Sequence, residues 1–260
     1  MILKFEKYHG AGNDFIIIDS NDIITDLKQK QVELLCNRRF GVGADGLMII
    51  SKSEQNDFAM KYFNSDGFEG SMCGNGGRCI AKYAYTHGFA NKKMSFEAVD
   101  GIHNAEILEK TVCLSMKDVE IIEEFNDGFF LDTGSPHFVK FVDDLSKVNV
   151  YNEGKELADD IRFSHKRTNV NFVEYNANNS KIATFERGVE DETLACGTGT
   201  VAAALSIYQA KKSKSEKIHL IAKGGELDVV FEKTNKAFIN IKLIGPATFV
   251  YKGEIEIPRI

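Results

Sequence analysis

Residues 72–79 read MCGNGGRC, and residues 195–205 read ACGTGTVAAAL. Each stretch puts a cysteine, Cys73 or Cys196, directly before a Gly-x-Gly turn and a helical run, CIAKYAYTHG in the first case and VAAALSIYQAKK in the second. The two thiols stand 123 positions apart (196 minus 73), close to half of the 260-residue chain. The same offset recurs elsewhere. Phe15 in NDFIIID falls on Phe138 in PHFVKFVDD, and both open short apolar runs that read as strands. Glu33, Leu34, Arg39 and Phe40 fall on Glu156, Leu157, Arg162 and Phe163, in segments with a helical pattern, the first running from Asp26 to a stop at Gly41. Gly101 in EAVDGIHNAEI falls on Gly224 in LIAKGGELDVVF, and both segments read as hairpins.

One offset joining a strand, a helix, a cysteine turn and a hairpin predicts two structurally similar halves. Their shared order is strand, helix, hairpin (LMIISKSEQNDFAMKYF and NFVEYNANNSKIATF), cysteine turn, helix and further strands. Runs of strands with only two clear helices per half argue an α+β fold of two pseudo-symmetric domains rather than a doubly wound α/β sheet. The repeat sets the domains at 1–118, carrying the Cys73 turn, and 119–260, carrying the Cys196 turn. A terminal strand at 249–260 could pack back on the first.

Composition narrows the classes. With 43% hydrophobic and 27% charged residues the chain is an ordinary globular one, and its net charge of −6 gives no footprint for nucleic acid. The start, MILKFEKYHG, has no basic segment followed by an apolar one, and no window approaches a membrane span, so the reading is cytoplasmic with no membrane partner. Five cysteines, an odd number without CxxC spacing, suggest neither a disulfide framework nor a zinc site, and six scattered histidines suggest no metal cluster. GVGADG at 41–46 matches GxGxxG in letters but follows a helix and precedes a strand, the reverse of a dinucleotide fingerprint, and is read as a turn.

A thiol at a helix N-terminus lies near free N–H groups and the positive end of the helix dipole, which lower its pKa and also cradle a carboxylate. If the two halves face each other, two thiols and two helix ends converge on one cleft. One thiolate could then remove an α-proton while the opposite thiol delivers a proton to the other face, and inversion needs two such groups of similar strength. N–H groups would stabilise the charge developing on the carboxylate. Cys36, Cys113 and Cys79 lie in apolar helix and strand patterns and are expected to be buried hydrophobes.

The motifs HGAGNDF, FNSDGFEGSMCGNGGRC, RTNVNFVE and ERGVEDETLACGTGT, in this order and across essentially the whole chain, resemble the diaminopimelate epimerase family. The resemblance implies interconversion of LL- and meso-diaminopimelate without cofactor or metal, in the route to lysine and peptidoglycan. It also implies a fold of two halves, each a curled, mostly antiparallel, barrel-like sheet round a central helix, and a homodimer. By position, Cys73 and Cys196 would be the acid/base pair, while Gly74 with Asn75 and Gly197 with Thr198 would hold the reacting carboxylate. Arg187 would clamp the distal carboxylate with its planar fork. Asn13, Asn64, Asn169 and Glu186 would bind substrate, and His137 would assist. The chain carries Gly46 where many members have Gln, and Ser135 where they have Asn, so no binding role passes to Gly46.

Two other readings compete. A proline racemase or hydroxyproline epimerase would share the architecture, but such relatives typically have His where Asn75 stands and need no second carboxylate clamp; isomerases of the phenazine type lack the cysteine pair. A thiol redox or amino-acid-binding protein would use Cys73 and Cys196 as a switchable disulfide.

Overall fold

A computed structural model describes residues 1–23, 26–163 and 167–258. In chain order it contains β1 (Ile2–Gly10), β2 (Asn13–Asp19), α1 (Gln29–Cys36), β3 (Gly46–Ser51), β4 (Phe58–Asn64), α2 (Gly74–Thr86), β5 (Lys93–Ala98), β6 (Gly101–Ile107) and β7 (Val112–Ser115). There follow β8 (Ile122–Phe125), β9 (Gly128–Asp132), β10 (Pro136–Val142), α3 (Val150–Ala158), β11 (Asn169–Glu174), β12 (Ser180–Glu186), β13 (Asp191–Thr193), α4 (Gly197–Gln209), β14 (Lys217–Ala222), β15 (Gly225–Lys233), β16 (Phe238–Gly245) and β17 (Thr248–Glu256). The chain divides into two compact units, Met1–Leu114 with Pro246–Ile260, and Ser115–Gly245. The first break falls four residues before the 118/119 boundary read from the repeat, and β17 pairs with β1.

In the first unit the strands run β17–β1–β2–β3–β4–β5–β6–β7, antiparallel except for β2 with β3 and β4 with β5. In the second they run β8–β9–β10–β11–β12–β14–β15–β16, antiparallel except for β10 with β11 and β12 with β14, with β13 beside β12. The two patterns are the same. Each parallel pair needs a crossover, and a helix supplies each one: α1, α2, α3 and α4 in turn. The offset of 123 holds to the residue for α2 against α4 and for β2 against β10.

The sequence explains the layering. Phe15, Ile16, Ile17 and Ile18 are consecutive and all buried, as a strand covered on both faces requires. On one face α1 packs Val32, Leu35 and Cys36 against Leu3, Phe5, Ile16, Ile18 and Leu47. On the other, α2 buries ten of its thirteen residues against β1, β2, β3 and β6, so the sheet curls round it. In the second unit α3 covers a cluster built on Phe138, Phe163, Val170, Phe172 and Phe185, while the largely buried α4 sits against β9, β10, β11, β12, β14, β15 and β16. The α+β class and the central helices expected above are therefore observed.

One expectation is corrected. Arg39, Phe40, Arg162 and Phe163 lie outside the helices: α1 ends at Cys36, and the latter pair falls in a short 3-10 turn, Ile161–Phe163. The side chain of Asn37 accepts from the N–H groups of Arg39 (2.9 Å) and Phe40 (3.0 Å), an Asx turn that competes with further helix. Cys36 and Cys79 are buried as expected, and burial pushes the Cys36 thiol up to about 12 and that of Cys79 higher still; Cys113 is only partly buried.

Candidate active site

In the first unit Cys73 is the N-cap of α2. Its backbone is extended, its carbonyl accepts from Gly77 N–H at 2.8 Å, and its Sγ accepts from Gly76 N–H at 3.2 Å. Sulfur here does what a Ser or Thr oxygen does at an ordinary cap, meeting the donor three residues on. HGAGNDF brings a partner to it. Ala11 and Gly12, with φ of 53° and 86°, form the two-residue turn between β1 and β2, and Asn13 follows directly. Asn13 Oδ1 lies 4.0 Å from Cys73 Sγ and accepts from Asn75 Nδ2 at 3.2 Å, while Asn13 Nδ2 donates to Asp45 at 2.7 Å.

Behind these groups lies a residue that the sequence reading missed. Arg78 is fully buried in α2 and donates to Gly74 O (2.9 Å), Asn75 Oδ1 (2.9 Å) and Pro246 O (3.3 Å). Burial lowers its pKa to about 10, an effect that nearby Cys79 and Cys73 oppose, so it carries its charge at neutral pH. Among the described residues no carboxylate lies within ion-pair distance of it. A second charged cluster stands beside Asn13. Burial disfavours the Asp14 carboxylate, yet hydrogen bonds from Arg38 and Lys7 outweigh it and hold Asp14 well below the usual carboxylate range. Asn64, exposed at the end of β4, closes a turn by accepting from Gly67 N–H at 2.9 Å.

In the second unit Cys196 is the N-cap of α4, and its carbonyl accepts from Thr200 N–H at 2.9 Å and from Thr200 Oγ1 at 2.8 Å. Its sulfur lies 3.5 Å from Thr198 Oγ1. That hydroxyl meets His137 Nε2 at 2.9 Å, and Ser135 Oγ stands 3.0 Å from the same nitrogen. On the far side of the ring His137 Nδ1 is 3.1 Å from Asn171 Nδ2, and Asn171 Oδ1 accepts from Thr184 Oγ1 at 2.9 Å. His137 is wholly buried. Burial lowers its pKa to about 3, with Asp132 pulling the other way and Arg187 adding to the fall, so the ring is neutral at working pH.

Asn169 is buried at the start of β11. Its Nδ2 donates to Pro136 O (2.9 Å) and Ser135 Oγ (3.3 Å), and its Oδ1 accepts from Arg187 N–H at 3.0 Å. It thereby fixes the backbone from which the exposed Arg187 side chain extends. Glu186 closes β12, and its carbonyl accepts from Glu190 N–H at 2.9 Å. Gly74 and Gly197 are the first residues of α2 and α4, where backbone N–H groups have no intrahelical partner. A Cβ at Gly46 would stand 2.6 Å from the Tyr62 ring, so this aromatic side chain takes the space in which a longer residue at 46 would begin.

Asn13, Asn75 and Cys73 thus come together in one unit. Ser135, His137, Asn169, Thr198 and Cys196, with the backbone of Arg187, come together in the other. Arg78, Asn171 and Thr184 were not singled out from sequence. A signal for Asn171 existed: in RTNVNFVE it stands two residues after Asn169 and shares its face of the strand, a polar residue in an otherwise buried run. Among the described residues no three His, Cys, Asp or Glu side chains gather as a metal site would need, and no helix is long and apolar enough to cross a membrane.

Comparisons with known proteins bear on the fold and the family. Among solved structures, the chain superposes on a PhzF-family phenazine biosynthesis protein from Bacillus anthracis with a TM-score of 0.78 at 16% identity, covering 99% of this chain and 100% of that one. It superposes on a hydroxyproline epimerase from Agrobacterium vitis with a TM-score of 0.70 at 12% identity, covering 98% and 92%. At such identities the likeness is one of fold. Sequence comparison goes further. The chain is 43% identical to the diaminopimelate epimerase of Flavobacterium psychrophilum, over 97% of this chain and 100% of the other. It is 44% identical to that of Chlorobaculum tepidum, over 95% and 98%. The family model described as diaminopimelate epimerase matches residues 5–121 and 129–250, so that both halves are covered and the chain belongs to the diaminopimelate epimerase family.

Proposed function

We propose that the protein is an amino-acid epimerase that interconverts LL- and meso-diaminopimelate by cofactor-independent transfer of the α-proton between Cys73 and Cys196. The observation that carries this reading is the matched placement of the two thiols, each the N-cap of an equivalent helix, Gly74–Thr86 and Gly197–Gln209. The reaction requires one sulfur on each face of the α-carbon. The α C–H bond breaks as its proton forms an S–H bond with one cysteine, and the other cysteine gives its proton to the opposite face. Negative charge gathers on the α-carboxylate in between. Gly74, Asn75, Gly197 and Thr198 would hold it with helix-terminal N–H groups, where a dipole and preorganised donors favour an anion.

Arg187 would clamp the distal carboxylate, its backbone fixed through Asn169. Asn13, Asn64, Asn169 and Glu186 would complete the substrate contacts. Arg187→Lys should raise KM by roughly tenfold, since an ammonium cannot reproduce the planar two-donor fork; unchanged kinetics would remove Arg187 from the site. Reduced thiols suit a cytoplasmic enzyme of lysine and peptidoglycan precursor synthesis. A homodimer is supported by the exposed Phe249, Val250 and Tyr251 on β17, which leave an apolar edge, and sedimentation measures it directly.

The reaction itself is tested by incubating reduced, cofactor-free protein with LL-diaminopimelate, proline and hydroxyproline separately and resolving the stereoisomers. Formation of the meso isomer from the first alone supports the assignment. Racemisation of proline or hydroxyproline in its place would move the protein to another substrate.

A further inference from the structure

The hydrogen bonds behind Cys196 have a direction. Asn171, wholly buried in β11, directs one end of its amide at the Phe138 carbonyl (3.2 Å) and the other at Thr184 Oγ1 (2.9 Å). A backbone carbonyl only accepts, so the end facing it is the NH₂ group, and the oxygen then takes the Thr184 hydroxyl proton. The same NH₂ lies 3.1 Å from His137 Nδ1. An amide nitrogen does not accept a hydrogen bond, so Nδ1 must present its lone pair and the single ring proton must sit on Nε2, 2.9 Å from Thr198 Oγ1.

We propose that Asn171 is a positioning residue that locks His137 as the neutral Nε2–H tautomer, so that His137 donates to Thr198 and never takes the proton of Cys196. This rests on the two-cysteine reading, in which Cys196 alternates between thiolate and thiol. With Nε2–H donating to it, Thr198 Oγ1 keeps one proton and one lone pair to offer. Toward a thiolate the hydroxyl turns its proton to Sγ, 3.5 Å away. When the α C–H bond breaks and its proton forms S–H, the hydroxyl turns its proton to Ser135 Oγ, 3.4 Å away, and accepts from the thiol. Return of that proton to the α-carbon reverses the rotation. No proton passes beyond Thr198, and the imidazole ends each turnover as it began.

Two further observations agree. A Cβ at position 199 would lie 2.3 Å from Asn171 Oδ1, so the second glycine of CGTGT leaves room for this amide. The charged groups that bear on His137 are Asp132 at the end of β9 and Arg187 after β12, and Cys196 at the head of α4 faces it through the Thr198 hydroxyl; burial outweighs Asp132 and keeps the ring neutral.

The test is ¹H–¹⁵N correlation of the histidine rings in the reduced protein, with His137 assigned by its loss in His137→Gln. The expected result is a proton on Nε2, a bare Nδ1, and no imidazolium between pH 8 and pH 5. A proton on Nδ1, or titration near the ordinary value of about 6.5, would overturn the proposal. Asn171→Asp keeps the shape and replaces the donor by an acceptor. It should move the ring proton to Nδ1 or charge the ring, shift the acid limb of the pH–rate profile upward, and lower kcat roughly 10²-fold. Where that variant fails to fold, Thr184→Val removes the hydroxyl that anchors the amide and should give mixed tautomers with roughly a tenfold loss. An unchanged tautomer in the variant that folds overturns the proposal. Because the spectrum needs no turnover, wild-type protein with Nε2–H but no epimerisation would refute the reaction alone, and epimerisation with Nδ1–H would refute the tautomer alone.

Discussion

Cys73 and Cys196 occupy the same point of two equivalent helices, yet their surroundings share little chemistry. Round Cys73 there are a backbone N–H on the sulfur itself, the amides of Asn13 and Asn75, and the buried guanidinium of Arg78. Round Cys196 there is a neutral series, Thr198, His137, Asn171 and Thr184. The repeat offset makes the substitutions explicit: Arg78 corresponds to Val201, Met48 to Asn171, and Asp14 to His137. Repetition has kept where the thiol sits and changed what surrounds it. Inversion needs two acid/base groups of similar strength, and similar strength can be reached by charge on one side and by a neutral donor chain on the other.

Removing one thiol at a time should have the largest effect. Cys73→Ala and Cys196→Ala should each lose more than roughly 10³-fold in epimerisation, because in the proposed reaction each removes the acid/base group of its face; a near-normal rate in either, read by stereoisomer analysis, would end the pairing. The equivalent glycines sharpen it. A methyl group at Gly199 would meet Asn171 Oδ1 at 2.3 Å, whereas at Gly76 the nearest atom is Cys73 Sγ at 3.3 Å. Gly199→Ala should therefore cost roughly 10²-fold in kcat through the His137 chain, and Gly76→Ala at most about tenfold. Equal losses would deny Asn171 its part.

Arg78→Met gives the first unit the kind of residue that the second has. Asn75 Oδ1 and Gly74 O would each lose the guanidinium as a donor, and activity should fall roughly tenfold. Stability should change by no more than about 2 kcal/mol, because a buried charge carries a desolvation penalty of its own; a large stability loss with unaltered activity would make Arg78 purely structural.

A separate effect is on acid stability. His137 has a folded pKa near 3, below its unfolded value of about 6.5, so the unfolded chain binds the extra proton and stability falls as pH drops from about 6.5 towards 3. Asp14, also depressed, contributes stability that is present above about pH 4 and is lost as pH falls further. Thermal melts of His137→Gln should flatten the upper part of this decline and those of Asp14→Asn only the lower part. The reverse pattern would contradict the burial and pairing described.

Much of the fold was legible because the chain repeats itself. The helices opened by CGNGG and CGTGT and the strands at Phe15 and Phe138 lie where the offset puts them, while in the hairpins the equivalent of Gly101 is Gly225, one residue beyond the Gly224 that the offset gives. The ends of α1 and α3 were harder to read, since Asn37 stops one helix by a side-chain bond that periodicity does not register. At the site, the cysteines, Asn13, Asn75 and Thr198 stand in motifs whose letters carry them, whereas His137 lies outside those motifs. Arg78 does not announce itself, and Asn171 does so only by standing two residues after Asn169 on the same face of β11. Charge in a helix reads as surface, and a strand asparagine reads as a turn residue, until the backbone buries both and leaves each with a single set of partners.

The proposed reaction needs two thiols acting from opposite faces, and isotope wash-in at early reaction times reports on both. Reduced protein would be given LL-diaminopimelate in D₂O, and deuterium at the α-carbons of substrate and product followed before the reaction approaches equilibrium. Two acid/base groups predict a meso product deuterated at its inverted centre while the remaining LL isomer keeps its hydrogen, because the delivering thiol has already exchanged with solvent. Meso product that retains the original hydrogen, or deuterium entering the LL isomer as fast as product forms, would mean that one group serves both faces and would contradict the pairing of Cys73 with Cys196.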